Sequence, residues 1–95
     1  MPERGFYLLV YDIADTRRRN RIARAMEAVS ERVQESVFEA YLSGAERDDL
    51  LRRVRKTLDP TEDSLRVYQL CSECRGKTRT LGQGSLTPPP GVRIV

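Results

Sequence analysis

The sequence predicts an α+β fold of the ferredoxin-like βαββαβ type: an antiparallel sheet with helices on one face and an extra C-terminal edge strand or arm. Three observations point there. Strand-like and helical runs follow one another in the order strand, helix, strand, helix, strand. The middle strand stretch, Val33 to Leu42, is long enough to bend near Glu35 or Ser36 and supply two of the four strands. Ninety-five residues make one small domain with a single core, short enough that a second copy adds stability, so a two-fold homodimer is expected.

The first strand runs from about Gly5 to Asp12. Its core, Phe6-Tyr7-Leu8-Leu9-Val10-Tyr11, is an unbroken apolar run, which reads as a strand buried on both faces, and Asp12 marks where the sheet meets solvent. A helix begins near Asp15 or Thr16, either of which can accept a hydrogen bond from the first free amides. Ile22, Met26 and Val29 recur at helical spacing and mark its buried face. Arg17, Arg18, Arg21 and Arg24 lie largely off that stripe. A solvated face is the plain reading of them, but the helix dipole disfavours positive charge at a helix start, so they ask for a further explanation.

From Arg32 to Leu42 the β-branched and aromatic content marks strand, with Val33, Val37 and Tyr41 in one register and Phe38, Ala40 and Leu42 in the other. Ser43-Gly44-Ala45-Glu46 has the spacing of a capping box and opens a second helix that runs to about Leu58. Leu50, Leu51, Val54 and Leu58 form its apolar stripe. Arg47, Arg52, Arg53, Arg55 and Lys56 alternate with acids as solvated surface, and Asp59-Pro60 ends the helix. Ser64 to Leu70 alternates cleanly, Leu65, Val67 and Gln69 against Arg66, Tyr68 and Leu70, as a strand. Lys77 to Leu81 can add a short edge strand. Beyond Gly82 the chain is rich in Gly, Ser and Pro, including Pro88-Pro89-Pro90, and cannot pair as a central strand. Residues 1–82 are therefore read as the domain and 83–95 as an extended arm, with Val92 to Val95 a candidate strand on a partner subunit.

Charge and composition narrow the function classes. Seventeen basic and 14 acidic residues leave a net charge of +3, too mild to establish nucleic-acid binding by composition. No apolar stretch approaches the about 20 residues that span a bilayer, and no leader is evident, so a cytoplasmic protein without a membrane partner is expected. The absence of histidine excludes acid–base catalysis by paired imidazoles. Cys71-Ser72-Glu73-Cys74 admits a zinc site completed by a dimer mate, a redox pair, or a reduced turn with two small, partly buried residues. The turn is favoured, because a zinc site usually brings two such pairs in one chain and no helix start adjoins these thiols to activate them.

Asp12 is the leading candidate for chemistry. A carboxylate at a strand end is held rigidly beside a loop that admits substrate, which suits metal binding or catalysis; the alternative is that it helps cap the following helix. Guanidinium groups nearby, in Arg17-Arg18-Arg19-Asn20-Arg21, suit a phosphodiester substrate. Tyr7, Tyr41 and Tyr68 fall in strand registers as core or interface residues, and no aromatic ladder for stacking bases stands out.

Val10-Tyr11-Asp12-Ile13 closing the first strand, the arginine-rich helix start, Arg32-Val33-Gln34-Glu35-Ser36-Val37-Phe38-Glu39, and Asp59-Pro60-Thr61-Glu62-Asp63-Ser64-Leu65-Arg66-Val67-Tyr68 together resemble the CRISPR-associated protein 2 family. The resemblance covers nearly the whole chain up to Gly82. It implies a ferredoxin-like homodimer in which the first-strand aspartates face each other across a cleft and share a divalent cation, Mg²⁺ or Mn²⁺. It also implies metal-dependent endonuclease activity on single-stranded RNA or double-stranded DNA, and a partnership with the CRISPR integrase, CRISPR-associated protein 1, in the acquisition of new spacers. Carried over by position, Asp12 is the metal and catalytic residue and Tyr11 its neighbour, while Arg19, Arg21, Arg32 and Phe38 lie near the cleft. The resemblance further implies that the C-terminal arm crosses to the sister subunit.

Two carboxylates in a dimer suffice for Mg²⁺, which takes water and substrate phosphate at its other positions. So thin a site leaves three readings. One is a metal nuclease, with arginine stabilising the charge on phosphate. The second is a non-catalytic bridge for the integrase, with Arg17, Arg18, Arg75, Lys77 and Arg79 tracking a duplex backbone; of these two, binding is the stronger. The third is a metal-free, toxin-like ribonuclease acting alone.

Overall fold

Six apolar residues in a row belong in the middle of a sheet, and that is where the chain puts them. The computed structural model describes residues 3–88. In chain order its elements are β1 (Gly5–Asp12), α1 (Thr16–Glu27), β2 (Glu31–Gln34), β3 (Val37–Leu42), α2 (Gly44–Thr57), β4 (Ser64–Leu70) and α3 (Ser72–Gly76). The strands form one sheet in the order β2-β3-β1-β4, antiparallel at every junction. α1 and α2 pack on one face, giving the expected α+β sandwich.

Alternation along β1 sorts its side chains. Tyr7, Leu9 and Tyr11 point to the helices and are buried with Ile22, Met26, Phe38, Leu42, Leu50 and Val54 in one core. Phe6, Leu8 and Val10 occupy the other face, where Leu8 and Val10 are only half-buried. The expectation of burial on both faces therefore holds for one face of the single chain. Among the described residues neither α1 nor α2 covers the second, whose rows are Phe6 with Tyr41 and Leu70, Leu8 with Glu39 and Tyr68, and Val10 with Val37 and Arg66; Arg75 of α3 lies over its Phe6–Tyr41 end.

Asp15 is the cap of α1, its carboxylate accepting from the Arg18 amide at 2.9 Å. Ile22 and Met26 are buried as their spacing predicts, together with Ala23. Val29 is exposed because α1 ends at Glu27 and the next turn leaves the helix axis. The break at Glu35-Ser36 is where the pattern places it. β2 is solvent-exposed throughout, and its pairing shifts between Arg32 and Gln34, so Val33 bulges out of the ladder. The bulge lets Arg32 and Gln34 address opposite faces of the hairpin. Ser43 and Glu46 form the reciprocal capping box of α2, at 3.1 and 2.8 Å.

Two loops and the first turn of α1 meet at a carboxylate to which the sequence pattern assigns no role. Asp63, just before β4, is buried; it accepts from the amides of Ala14 (3.2 Å) and Asp59 (3.0 Å) and from Arg18 Nε (2.8 Å). Arg18 also reaches Glu62 at 2.9 Å. The guanidinium, ahead of the two amides, holds the Asp63 carboxyl down from its ordinary 3.8 to about 2 against the opposing effect of burial.

Two expectations fail after β4. Lys77 to Leu81 is not an edge strand: Ser72–Gly76 is a helical turn, Lys77 caps its end, and no strand follows Leu70 among the described residues. Cys71 ends the ladder by accepting the Cys74 amide at its sulfur, so the backbone turns before a further strand can pair. The cysteines are also exposed rather than partly buried, and a helix start does adjoin them. Gly82 and Gly84 take positive φ of 82° and 106°, where side chains are disfavoured, and the chain returns to the sheet. There the amide and hydroxyl of Thr87 donate to the buried Glu39 of the same chain at 3.0 and 2.8 Å. Val92 to Val95 lie outside the described residues. Among those residues no helix is long and apolar enough to cross a membrane.

Because the Asp63 carboxyl is depressed in the folded chain, its stabilisation is present above about pH 4 and drains away as pH falls towards 2. Denaturant melts of the parent and Asp63→Asn should therefore differ most at neutral pH and converge in that window; parallel curves would show that the clamp does not titrate with folding.

Candidate functional site

Asp12 is the last residue of β1, opposite Ser64 of β4, and is exposed. Since Asp15 caps α1, Asp12 is relieved of that task, and among the described residues no ion pair or side-chain hydrogen bond engages it. It lies on a shallow hollow of about 390 Å³ with Tyr11, Ile13, Arg19, Glu35 and Ser36.

The walls of the hollow are fixed from below. Tyr11 hydroxyl donates to the Glu35 carbonyl at 3.0 Å and its amide to that of Ser36 at 3.1 Å, so the β2–β3 turn is tied to the end of β1. The Tyr11 ring meets Phe38 edge-on, with centroids 6.1 Å apart. Arg32 lays its guanidinium 5.1 Å above the Phe38 ring and pairs with Glu27 at 3.1 Å. Arg19 donates to the Ile13 carbonyl (3.1 Å) and to Thr16 Oγ1 (3.2 Å), which holds a cation beside Asp12 without neutralising it. Of the residues assigned to the site, Asp12, Tyr11 and Arg19 converge. Phe38 is fully buried and reaches the hollow only through Tyr11, and Arg32 stands on its far side.

Arg21 is elsewhere. It shares the outer face of α1 with Arg17, Asn20 and Arg24 around a separate hollow of about 380 Å³. Arg18 has an internal task in place of the expected one, because its guanidinium is committed to Asp63 and Glu62, which raise its pKa. Arg75 lies 5.4 Å over the Phe6 ring and 5.3 Å over that of Tyr41, and donates to the Thr87 carbonyl at 3.1 Å. Lys77 pairs with Glu73 at 3.1 Å, and Arg79 is exposed.

Glu35 is the site residue missed in the sequence. It looks like turn punctuation, and the two bonds from Tyr11 to the turn bring it alongside Asp12. Among the described residues no group of three or more acidic or thiol side chains could by itself hold a metal ion. An exposed, unpaired Asp12 with Glu35 on the same rim nevertheless suits a hard cation such as Mg²⁺, which commonly takes one or two carboxylates and leaves its other positions to water and phosphate.

Comparison with known proteins shows what the chain as a whole is similar to. The family described as "CRISPR associated protein Cas2" matches residues 5–78. The chain is 43% identical over 89 residues to a protein of Synechocystis sp. named "CRISPR-associated endoribonuclease Cas2 3", covering 94% of this chain and 97% of that one. The crystal structure of Streptococcus pyogenes Cas2 superposes with a TM-score of 0.72 at 30% identity, covering 81% of this chain and 99% of the other. A chain of a "Partial Cas6-RT-Cas1--Cas2 complex" superposes with a TM-score of 0.67 at 25% identity, covering 81% and 90%.

Tyr11→Phe keeps the ring against Phe38 and removes the bond to the Glu35 carbonyl, so it should cost about 1 kcal/mol of stability and lower the urea midpoint at constant slope. An unchanged midpoint would show that the turn is held without the hydroxyl.

Proposed function

The chain belongs to the CRISPR-associated protein Cas2 family, and from that premise we propose that it serves CRISPR adaptation as a homodimer that binds nucleic acid, bridges the CRISPR integrase, and carries at the Asp12 pair a metal-dependent phosphodiesterase site. The observation that carries the reading is an exposed carboxylate, without a side-chain partner among the described residues, at the end of the central strand with a fixed arginine beside it.

The homodimer is supported by the uncovered face of the sheet. Leu8, Val10 and Val37 are half-buried there with no helix above them among the described residues, and a second copy is the partner whose face would match by symmetry. The two Asp12 carboxylates of such a dimer would hold Mg²⁺ or Mn²⁺, a donor pair that one chain cannot supply alone. When bound, the cation supplies Lewis-acid chemistry and orients phosphate. Asp12 holds it. Arg19, immobilised by Ile13 and Thr16, offers its charge to phosphate oxygens without the entropy cost of ordering a free arginine. Tyr11 and Phe38 keep the rim in place, and Arg32 is a positioning residue through Phe38.

Binding of duplex DNA rests on separate residues. Arg17, Arg21 and Arg24 recur along the solvent face of α1 and have no acidic partner among the described residues. Such a row suits a phosphate backbone read without regard to sequence. The endoribonuclease name of the Synechocystis relative supports RNA as a substrate to be cut. The solved complex containing Cas1 and Cas2 supports the integrase as partner. A bridge without cleavage is the second reading, favoured by how few metal donors one chain brings to the hollow.

Cleavage of labelled single-stranded RNA and double-stranded DNA by the parent and Asp12→Asn, with Mg²⁺ or chelator, separates these readings. Cutting should need both the metal and Asp12. A folded dimer that binds duplex yet cuts neither substrate would leave the bridge, and cutting that survives chelation would point to a metal-free ribonuclease. Duplex affinity should fall with rising salt, with a log–log slope of roughly −0.9 per phosphate contact, and Arg17→Ala should flatten that slope by about one contact.

A further inference from the structure

Cys71 and Cys74 lie away from the Asp12 hollow, at the junction of β4 and the returning arm. Both thiols are exposed and unbridged. Cys71 takes extended backbone, φ −70° and ψ 166°, and the chain then makes a single helical turn, so side chains three apart come to the same side. The Cys74 amide donates to Cys71 Sγ at 3.4 Å. That amide, and then the Cys74 thiol, stabilise the Cys71 thiolate and lower its pKa, while the same contact raises that of Cys74. The charged neighbours are otherwise occupied: Glu73 pairs with Lys77, and Arg75 turns away onto Phe6 and Tyr41. An attacking thiol and a resolving thiol three residues apart on one turn, both open to solvent, are the two parts that thiol–disulfide exchange requires.

We propose that Cys71 and Cys74 are a redox-active dithiol, oxidised reversibly by small-molecule disulfides such as oxidised glutathione. Cys71 attacks as the thiolate; the disulfide bond of the oxidant breaks, a mixed disulfide forms on Cys71, and one small thiolate leaves. Cys74 then gives up its proton and attacks the Cys71 sulfur, and the second small thiolate leaves as the Cys71–Cys74 bond closes. The protein loses two electrons and two protons, and the oxidant becomes two thiols. The pair stands beside Arg75, which holds the Thr87 carbonyl of the arm.

The test is to incubate the full chain with excess oxidised glutathione near neutral pH, quench with acid, block remaining thiols with a maleimide and weigh the product. The expected result is joint loss of both thiols within one chain, a mass lower by two hydrogens, no retained glutathione, and full recovery with a reductant. Cys74→Ser should instead keep one glutathione on Cys71, and limited alkylation of the reduced parent should label Cys71 before Cys74. Both positions are exposed, so these readouts follow a folded chain, checked by circular dichroism. Two thiols that remain free, a stable glutathione adduct on the parent, or a bridge between two chains would each overturn the proposal.

Discussion

The structure depends on β1 being hydrogen-bonded along both edges. Only a strand with neighbours on each side can place Tyr7, Leu9 and Tyr11 under two helices and keep every backbone group paired. A slip of one residue would exchange those three with Phe6, Leu8 and Val10 and carry Asp12 off the rim. Register, core and candidate site are thus one constraint. The same central position leads the strand out of the sheet at Asp12, where a rigid backbone ends and an open hollow begins.

Electrostatics then sorts arginines that look alike in sequence. α1 carries no acid in its first turn, which leaves Arg17, Arg18 and Arg19 against the positive end of the helix dipole. The conflict is relieved in part by Asp15 as the cap and by Asp63 and Glu62, which gather Arg18 into the loop before β4. Arg19 is turned back on the backbone, Arg32 and Arg75 lie over aromatic rings, and Arg17, Arg21 and Arg24 stay on the solvent face. Residues of one chemical kind therefore do four jobs: buried clamp, backbone-tied charge at the rim, cover over aromatic rings, and surface charge.

The open face of the sheet shows how a carboxylate is tolerated among apolar neighbours. Glu39 is buried between Leu8 of β1 and Glu31 of β2, a like charge directly across the ladder. Thr87 satisfies it twice, and Arg75 takes the Thr87 carbonyl. The returning arm is consequently anchored by polar bonds, while Leu8, Val10 and Val37 remain half-covered.

Local pattern by itself determined most of the fold. The apolar run of β1, the Ser43–Glu46 capping box, the alternation of β4 and the break at Glu35-Ser36 all depend on neighbours in sequence, and each stands where its pattern requires. Asp12 was legible for the same reason, since a strand end is a local feature. Tertiary structure decided what depends on residues far apart in the chain. Asp63 finds Arg18 across 45 positions, Glu35 reaches the rim through Tyr11, and Glu39 meets Thr87 across 48. The edge strand expected after Gly76 gave way to a turn because a thiol captured an amide, and the cysteines were exposed by it. Periodicity reports which face a residue occupies; only packing brings together charges, caps and thiols that the chain keeps apart.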